Sequence, residues 1–158
     1  MAFEIDDVDR AILAILERDG RTPAAQIAER VGLSRPAVAE RIEKLERGGV
    51  IRGTTAVVDP TAVGKAVTAF VSCRGTPRLG AKAWQAFRRI LDGPEVLEAH
   101  TVAGEDCYLI KVRTGTIASL DELVNRLTAP PLSLSTNTTI VMRTHCEKVG
   151  GVVLGEES

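Results

Sequence analysis

The stretch "VGLSRPAVAERIEKLERGG", residues 31–49, decides what the first third of this chain builds. Gly32 breaks whatever precedes it, Leu33 offers an apolar plug for a turn, and Ser34 can accept from the free N–H groups of a helix start. Behind Ser34 the apolar residues fall at Val38, Ile42 and Leu45, one stripe of a helix that ends at Gly48-Gly49. Working backwards, "TPAAQIAERV", residues 22–31, opens a short helix where Thr22 can cap and Pro23 fits the first helical position. Its buried side is Ile27, Ala28 and Val31. Further back, Val8, Ile12, Ile15 and Leu16 make another helical stripe, with Asp6 or Asp7 as N-cap and Asp19-Gly20 as its stop. Helix, the turn "GLS", helix: this is the helix-turn-helix arrangement, whose second helix lies in a DNA major groove.

The side chains available for that contact are Ser34, Arg35, Pro36, Ala37, Glu40, Arg41 and Lys44. An arginine can reach guanine bidentately or hold a phosphate, and a small residue such as Ala37 lets the helix come close. Arg21 and Arg52 flank the unit and are expected at backbone phosphates. From Ser34 to Arg52 five basic residues stand against three acidic ones (Glu40, Glu43 and Glu46). Charge alone would equally suit a solvated helix face with pairs such as Glu40–Lys44. The capped helices and their spacing favour DNA.

Composition limits the alternatives. The 158 residues suffice for one medium domain or two small ones, and a net charge of −1 means that any DNA contact rests on local placement of basic residues. No apolar run approaches the ~18–20 residues that cross a bilayer, so no membrane partner is expected. The start, "MAFEIDDVDR", is acidic with no apolar core and does not read as a signal peptide. Cys73, Cys107 and Cys146 are far apart with no CxxC pair, which suits a reducing cytoplasm rather than a disulfide framework or a zinc site.

After a short extended segment with a Pro and Gly turn, "TTAVVDPTAVGK" (54–65), the pattern changes. Residues 66–74 read as a strand, and 79–91 as a helix buried through Trp84, Phe87, Ile90 and Leu91. Strands follow over 96–103 and 107–114, then a helix over 117–127 on Leu120, Leu123, Val124 and Leu127, and a last strand over 134–142. The order β-α-β-β-α-β is the ferredoxin-like split βαβ unit. Tyr108, Ile110 and Val112 share one strand face while Cys107 and Leu109 lie on the other, and Phe70 opposes Val71 and Cys73 in the same way. With helices covering one side, a partly apolar second side implies that another copy of the chain covers it.

Taken together, the residues resemble the Lrp/AsnC (feast/famine) family of bacterial transcription regulators over nearly the whole chain. "DDVDRAILAILERDGRTPAAQIAERVGLSRPAVAERIEKLERGGVIRG" is similar to the family's winged helix-turn-helix, "AHTVAGEDCYLIKV" to the region of its effector loop, and "TNTTIVM" to its last strand. The resemblance implies an α+β chain with a winged helix-turn-helix DNA-binding domain at 1–53, a hinge at 54–65, a ferredoxin-like ligand-binding and oligomerisation domain at 66–148, and a tail at 149–158. It also implies a homodimer formed through the sheet, assembling further into species such as octamers, with double-stranded DNA and an amino-acid effector as partners.

The family loop runs Gly, two variable residues, Asp, Tyr. Gly104 and Tyr108 match, Cys107 stands at the position of the Asp, and Asp106 comes one position early. An amino acid needs backbone N–H groups for its carboxylate, which Gly104 allows to come close, and oxygen acceptors for its ammonium, for which Glu105, Asp106, Thr136 and Thr138 are the candidates. His100 matches a histidine of the family pattern. Neither metal nor cofactor is expected: only His100 is near enough to join the acids as a ligand, and no nucleophile accompanies them. Two other functions fit the same two-domain plan, a siroheme-decarboxylase-like enzyme and a ligand-independent nucleoid-associated DNA binder. The basic residues Arg35, Arg41 and Lys44 favour the regulator.

Overall fold

The structure, a computed structural model, describes residues 4–75 and 79–148. The tail expected at 149–158 lies outside the described residues. The chain divides into two compact units, Val58–His145 forming one and residues up to Val57 together with residues 146–148 the other. One boundary thus falls inside the segment read as a hinge, and the second domain ends three residues before its expected bound of 148.

The first unit holds three helices, α1 (Asp7–Arg18), α2 (Ala24–Val31) and α3 (Arg35–Arg47). Asp6 and Asp9 start α1 with a reciprocal capping box, each side chain accepting from the other's backbone N–H. Thr22 does not cap α2. Pro23 occupies the cap position, and the Thr22 hydroxyl instead donates to the Asp19 carbonyl at 2.8 Å. Gly32 ends α2 at a φ of 69°, a left-handed conformation that glycine adopts without strain. Ser34 accepts from the Ala37 N–H at the start of α3. Ile12, Leu13, Ile27, Ala28, Val38 and Leu45 form the core, with Leu33 packed against it from the turn. The segment after α3 contains no paired strand among its described residues.

The second unit runs β1 (Val67–Arg74), α4 (Ala81–Leu91), β2 (Val96–Thr101), β3 (Tyr108–Thr114), α5 (Ile117–Thr128) and β4 (Ser135–Ile140). The strands make one antiparallel sheet in the order β2-β3-β1-β4, the split βαβ arrangement. Both helices pack on one side. Ala69, Val71, Cys73, Tyr108, Ile110 and Val112 face Phe87, Ile90, Leu120, Leu123 and Leu127 in a single core. Trp84 departs from its expected burial: it is 45% exposed and lies at the edge of the core, its ring 5.9 Å from that of Phe87. The sheet's other side carries Thr68, Phe70, Leu109, Lys111 and Arg113, with Phe70 paired to Lys111 and Thr139.

Candidate DNA-binding and effector sites

The Ser34 cap fixes where α3 begins and holds Arg35 and Pro36 exposed in its first turn. Ala37 is half-buried beside them, while Glu40, Lys44, Arg21 and Arg52 are exposed. Arg41 is different. Its Nη1 donates to Asp6 Oδ2 and to Asp9 Oδ1, both at 2.7 Å, and ties α3 to the start of α1. Arg41 lies three residues beyond Val38 and four before Leu45, so it shares their stripe, and Asp9 likewise precedes Ile12 by three. That periodicity is the signal that could have assigned both to the inside of the domain. The hydrogen bond that the Asp9 backbone N–H donates to it, followed by the one from Arg41, holds the Asp6 carboxyl below its usual range.

The seven residues expected at an effector site divide into three groups. Gly104, Glu105 and Asp106 form the tip between β2 and β3. Tyr108 and Thr136 lie on the helix-facing side of the sheet, on either side of Cys73, and Thr138 lies two residues further along beside Val71. His100 pairs with Leu109 on the opposite side, where its ring is 3.4 Å from Glu98. Tyr108 is a core residue, its ring 4.8 Å from that of Phe87, and burial raises its phenol pKa.

At the tip Gly104 has a φ of 142°, and a side chain there would point into open space. The Cys107 N–H donates to the Cys73 carbonyl at 2.8 Å, and its thiol donates to the Gly75 carbonyl at 3.3 Å. The loop is thus held to the end of β1 through Cys107. One functional candidate escaped the sequence reading. Arg74, the last residue of β1, donates from Nη2 to Glu105 at 2.9 Å and lies 3.6 Å through Nε from Asp106. Its partners are 31 and 32 residues away in sequence, which only the strand register brings together. Lys111 holds Glu98 at 3.2 Å and with His100 lowers its pKa. No group of three or more His, Cys, Asp or Glu among the described residues is arranged to hold a metal ion, and no described helix is long and apolar enough to cross a membrane.

Residues 5–46 match the AsnC-type helix-turn-helix domain and residues 68–150 the Lrp/AsnC ligand binding domain. The chain belongs to the Lrp/AsnC family of transcriptional regulators. Among the relatives of this Lrp/AsnC chain, the HTH-type transcriptional regulator LrpA of Mycobacterium tuberculosis is 35% identical over 140 residues, 89% of this chain and 91% of the relative. The HTH-type transcriptional regulator FL11 of Pyrococcus horikoshii is 31% identical over 147 residues, 93% of this chain and 95% of the relative. The feast or famine regulatory protein of M. tuberculosis, solved in complex with L-methionine, superposes with a TM-score of 0.81 at 33% identity, covering 91% of this chain and 96% of that one.

Proposed function

We propose that this Lrp/AsnC regulator is a cytoplasmic, sequence-specific DNA binder whose DNA binding or assembly responds to a small amino acid held at the 104–108 loop. It acts as a homodimer formed through the open side of the sheet, and the dimers assemble further. The observation that carries the reading is the loop itself. A glycine at positive φ exposes backbone beside two carboxylates and a guanidinium, within a domain of the family's ligand-binding type. The L-methionine complex of the M. tuberculosis relative supports an amino acid as the ligand class. Of the expected DNA contacts, Arg35, Pro36, Ala37, Glu40 and Lys44 fit a groove-facing side of α3, with Ser34 at its N-cap. Arg41 serves the domain instead, because its guanidinium hydrogen bonds are directed at Asp6 and Asp9. No catalytic residue is assigned.

The test is a gel shift on the DNA upstream of the protein's own gene, with and without each amino acid, beside a thermal-shift screen of the same compounds. A ligand at 100 times its Kd raises native-state stability by about 2.7 kcal/mol, enough to move a melting temperature by a few degrees. Specific retention of that DNA, changed by the amino acid that gives the thermal shift, is the expected result. Retention that no amino acid alters leaves a DNA binder without an effector.

A further inference from the structure

The geometry points to Arg74 as the anchor for the effector's α-carboxylate, reached by ion-pair exchange with the loop's own acids. This rests on the amino-acid reading above and adds to it the residue that recognises the acid end and the class of amino acid admitted. Arg74 Nη2 is 2.9 Å from Glu105 and Nε is 3.6 Å from Asp106. All three side chains reach solvent: Arg74 is 59% exposed, Glu105 87% and Asp106 36%. Ion pairs this exposed are weak and exchange readily, so a competing carboxylate can displace them.

An amino-acid zwitterion supplies both halves of such an exchange. Its carboxylate takes the fork of Arg74, which matches a carboxylate bidentately. Its ammonium takes the carboxylate of Glu105 or Asp106 released by the same step. The internal pairs lost are replaced in kind, and Gly104, with no side chain over the tip, leaves the space open. Arg74 also pairs through the strand ladder with Ser135 at the head of β4, one residue before Thr136, so the strand position that carries the guanidinium lies beside the last strand. The cluster holds two acids against one guanidinium. A further carboxylate, from an aspartate or glutamate side chain, would be repelled there, so the site suits neutral or basic amino acids.

The test is calorimetric titration of the full chain with L-methionine, L-leucine, L-lysine and L-glutamate, each beside its α-methyl ester. The ester keeps the ammonium and removes the carboxylate charge. Wild type is expected to bind a neutral or basic member and to prefer the acid over its ester by roughly tenfold or more. Arg74→Gln should bind acid and ester equally weakly at an unchanged melting temperature, and Arg74→Lys should keep part of the preference. Full wild-type affinity and acid preference in Arg74→Gln would overturn the anchor and leave the effector reading standing. Tightest binding of L-glutamate by wild type would overturn the neutral-or-basic class. If none of the amino acids binds wild type, the effector reading fails and the anchor with it.

Discussion

Arg41 and Asp9 lie 32 residues apart, yet their guanidinium and carboxylate meet at 2.7 Å, and this pair joins the recognition helix to the first helix of its domain. Asp9 is only 3% exposed. Removing its cation leaves a buried carboxylate with less compensation, the situation in which one lost partner matters far more than a surface pair. Arg41→Ala is therefore expected to destabilise the first unit by about 1–3 kcal/mol. Arg47→Ala, which removes an exposed contact with Glu43 at 4.0 Å, should change stability by less than about 0.5 kcal/mol. Urea unfolding of both variants, followed by far-UV circular dichroism, checks the contrast.

The same clamp sets a pH dependence. The Asp6 carboxyl is held below its ordinary value of 3.8 by the Asp9 backbone and then by Arg41. A group whose folded pKa is depressed contributes stability that is present above the unfolded value and lost as pH falls through the folded one. Stability of wild type should thus decline below about pH 4. Asp6→Asn should start lower at neutral pH and decline less steeply, since it has no such proton to take up. Unfolding midpoints measured from pH 7 to pH 2.5 would show the two curves converging at the acid end; parallel curves would contradict the assignment.

How far the sequence reveals this molecule depends on the reach of each interaction. Helical stripes such as Val38–Ile42–Leu45 and Leu120–Leu123–Leu127 are legible because burial repeats with the backbone's own period. The sheet order followed from the sequence of elements, and the division of β1 into a Val71 face and a Phe70 face from simple alternation. The 104–108 loop stood out as a candidate site through its resemblance to a family pattern. The contacts of Arg41 and Arg74 were not, because their partners lie 31 to 35 residues away and only tertiary packing joins them. Trp84 was misplaced for a related reason: it lies on the edge of the α4 stripe, where a large ring can rest on Phe87 and still face water. A residue on the border of a stripe is where periodicity alone does not decide.

For DNA, Arg35 and Arg41 should now behave differently. Arg35→Ala should weaken specific binding by about 1–3 kcal/mol if the side chain reads a base, or lower the salt slope by about one if it holds a phosphate, at unchanged stability. Any loss in Arg41→Ala should follow the unfolded fraction and recover at lower temperature. Gel shifts over a salt series at two temperatures separate these cases.

Gly104 offers a sharper test of the loop. Its φ of 142° is strained for any residue with a side chain, although space around it is open. Gly104→Val should lower stability of the second unit by roughly 1–3 kcal/mol and abolish the amino-acid thermal shift, with DNA retention little changed. Cys107→Ser should be nearly neutral, since a hydroxyl can still donate to the Gly75 carbonyl. A Gly104→Val protein that keeps the full thermal shift would place the ligand elsewhere.

The open side of the sheet carries the last prediction. Phe70 is 37% exposed at the middle of β1, and Leu109, half-buried on the neighbouring strand, lies on the same side. Around them the side is polar: Lys111 pairs with Glu98, and the Arg113 guanidinium donates to the Thr68 hydroxyl at 3.2 Å. Such a surface, an aromatic anchor within already satisfied polar groups, suits a specific interface better than non-specific collapse. In a two-fold dimer each substitution acts twice. Completing the burial of a phenylalanine is worth up to about 1.5–3 kcal/mol, so Phe70→Glu should weaken dimerisation by a hundredfold or more. Phe70 is directed away from the core of its own unit, so the monomer should remain folded. Light scattering at tens of micromolar is expected to show a dimer or larger species for wild type and a folded monomer for Phe70→Glu. A variant that keeps the wild-type mass would move the interface off this side of the sheet.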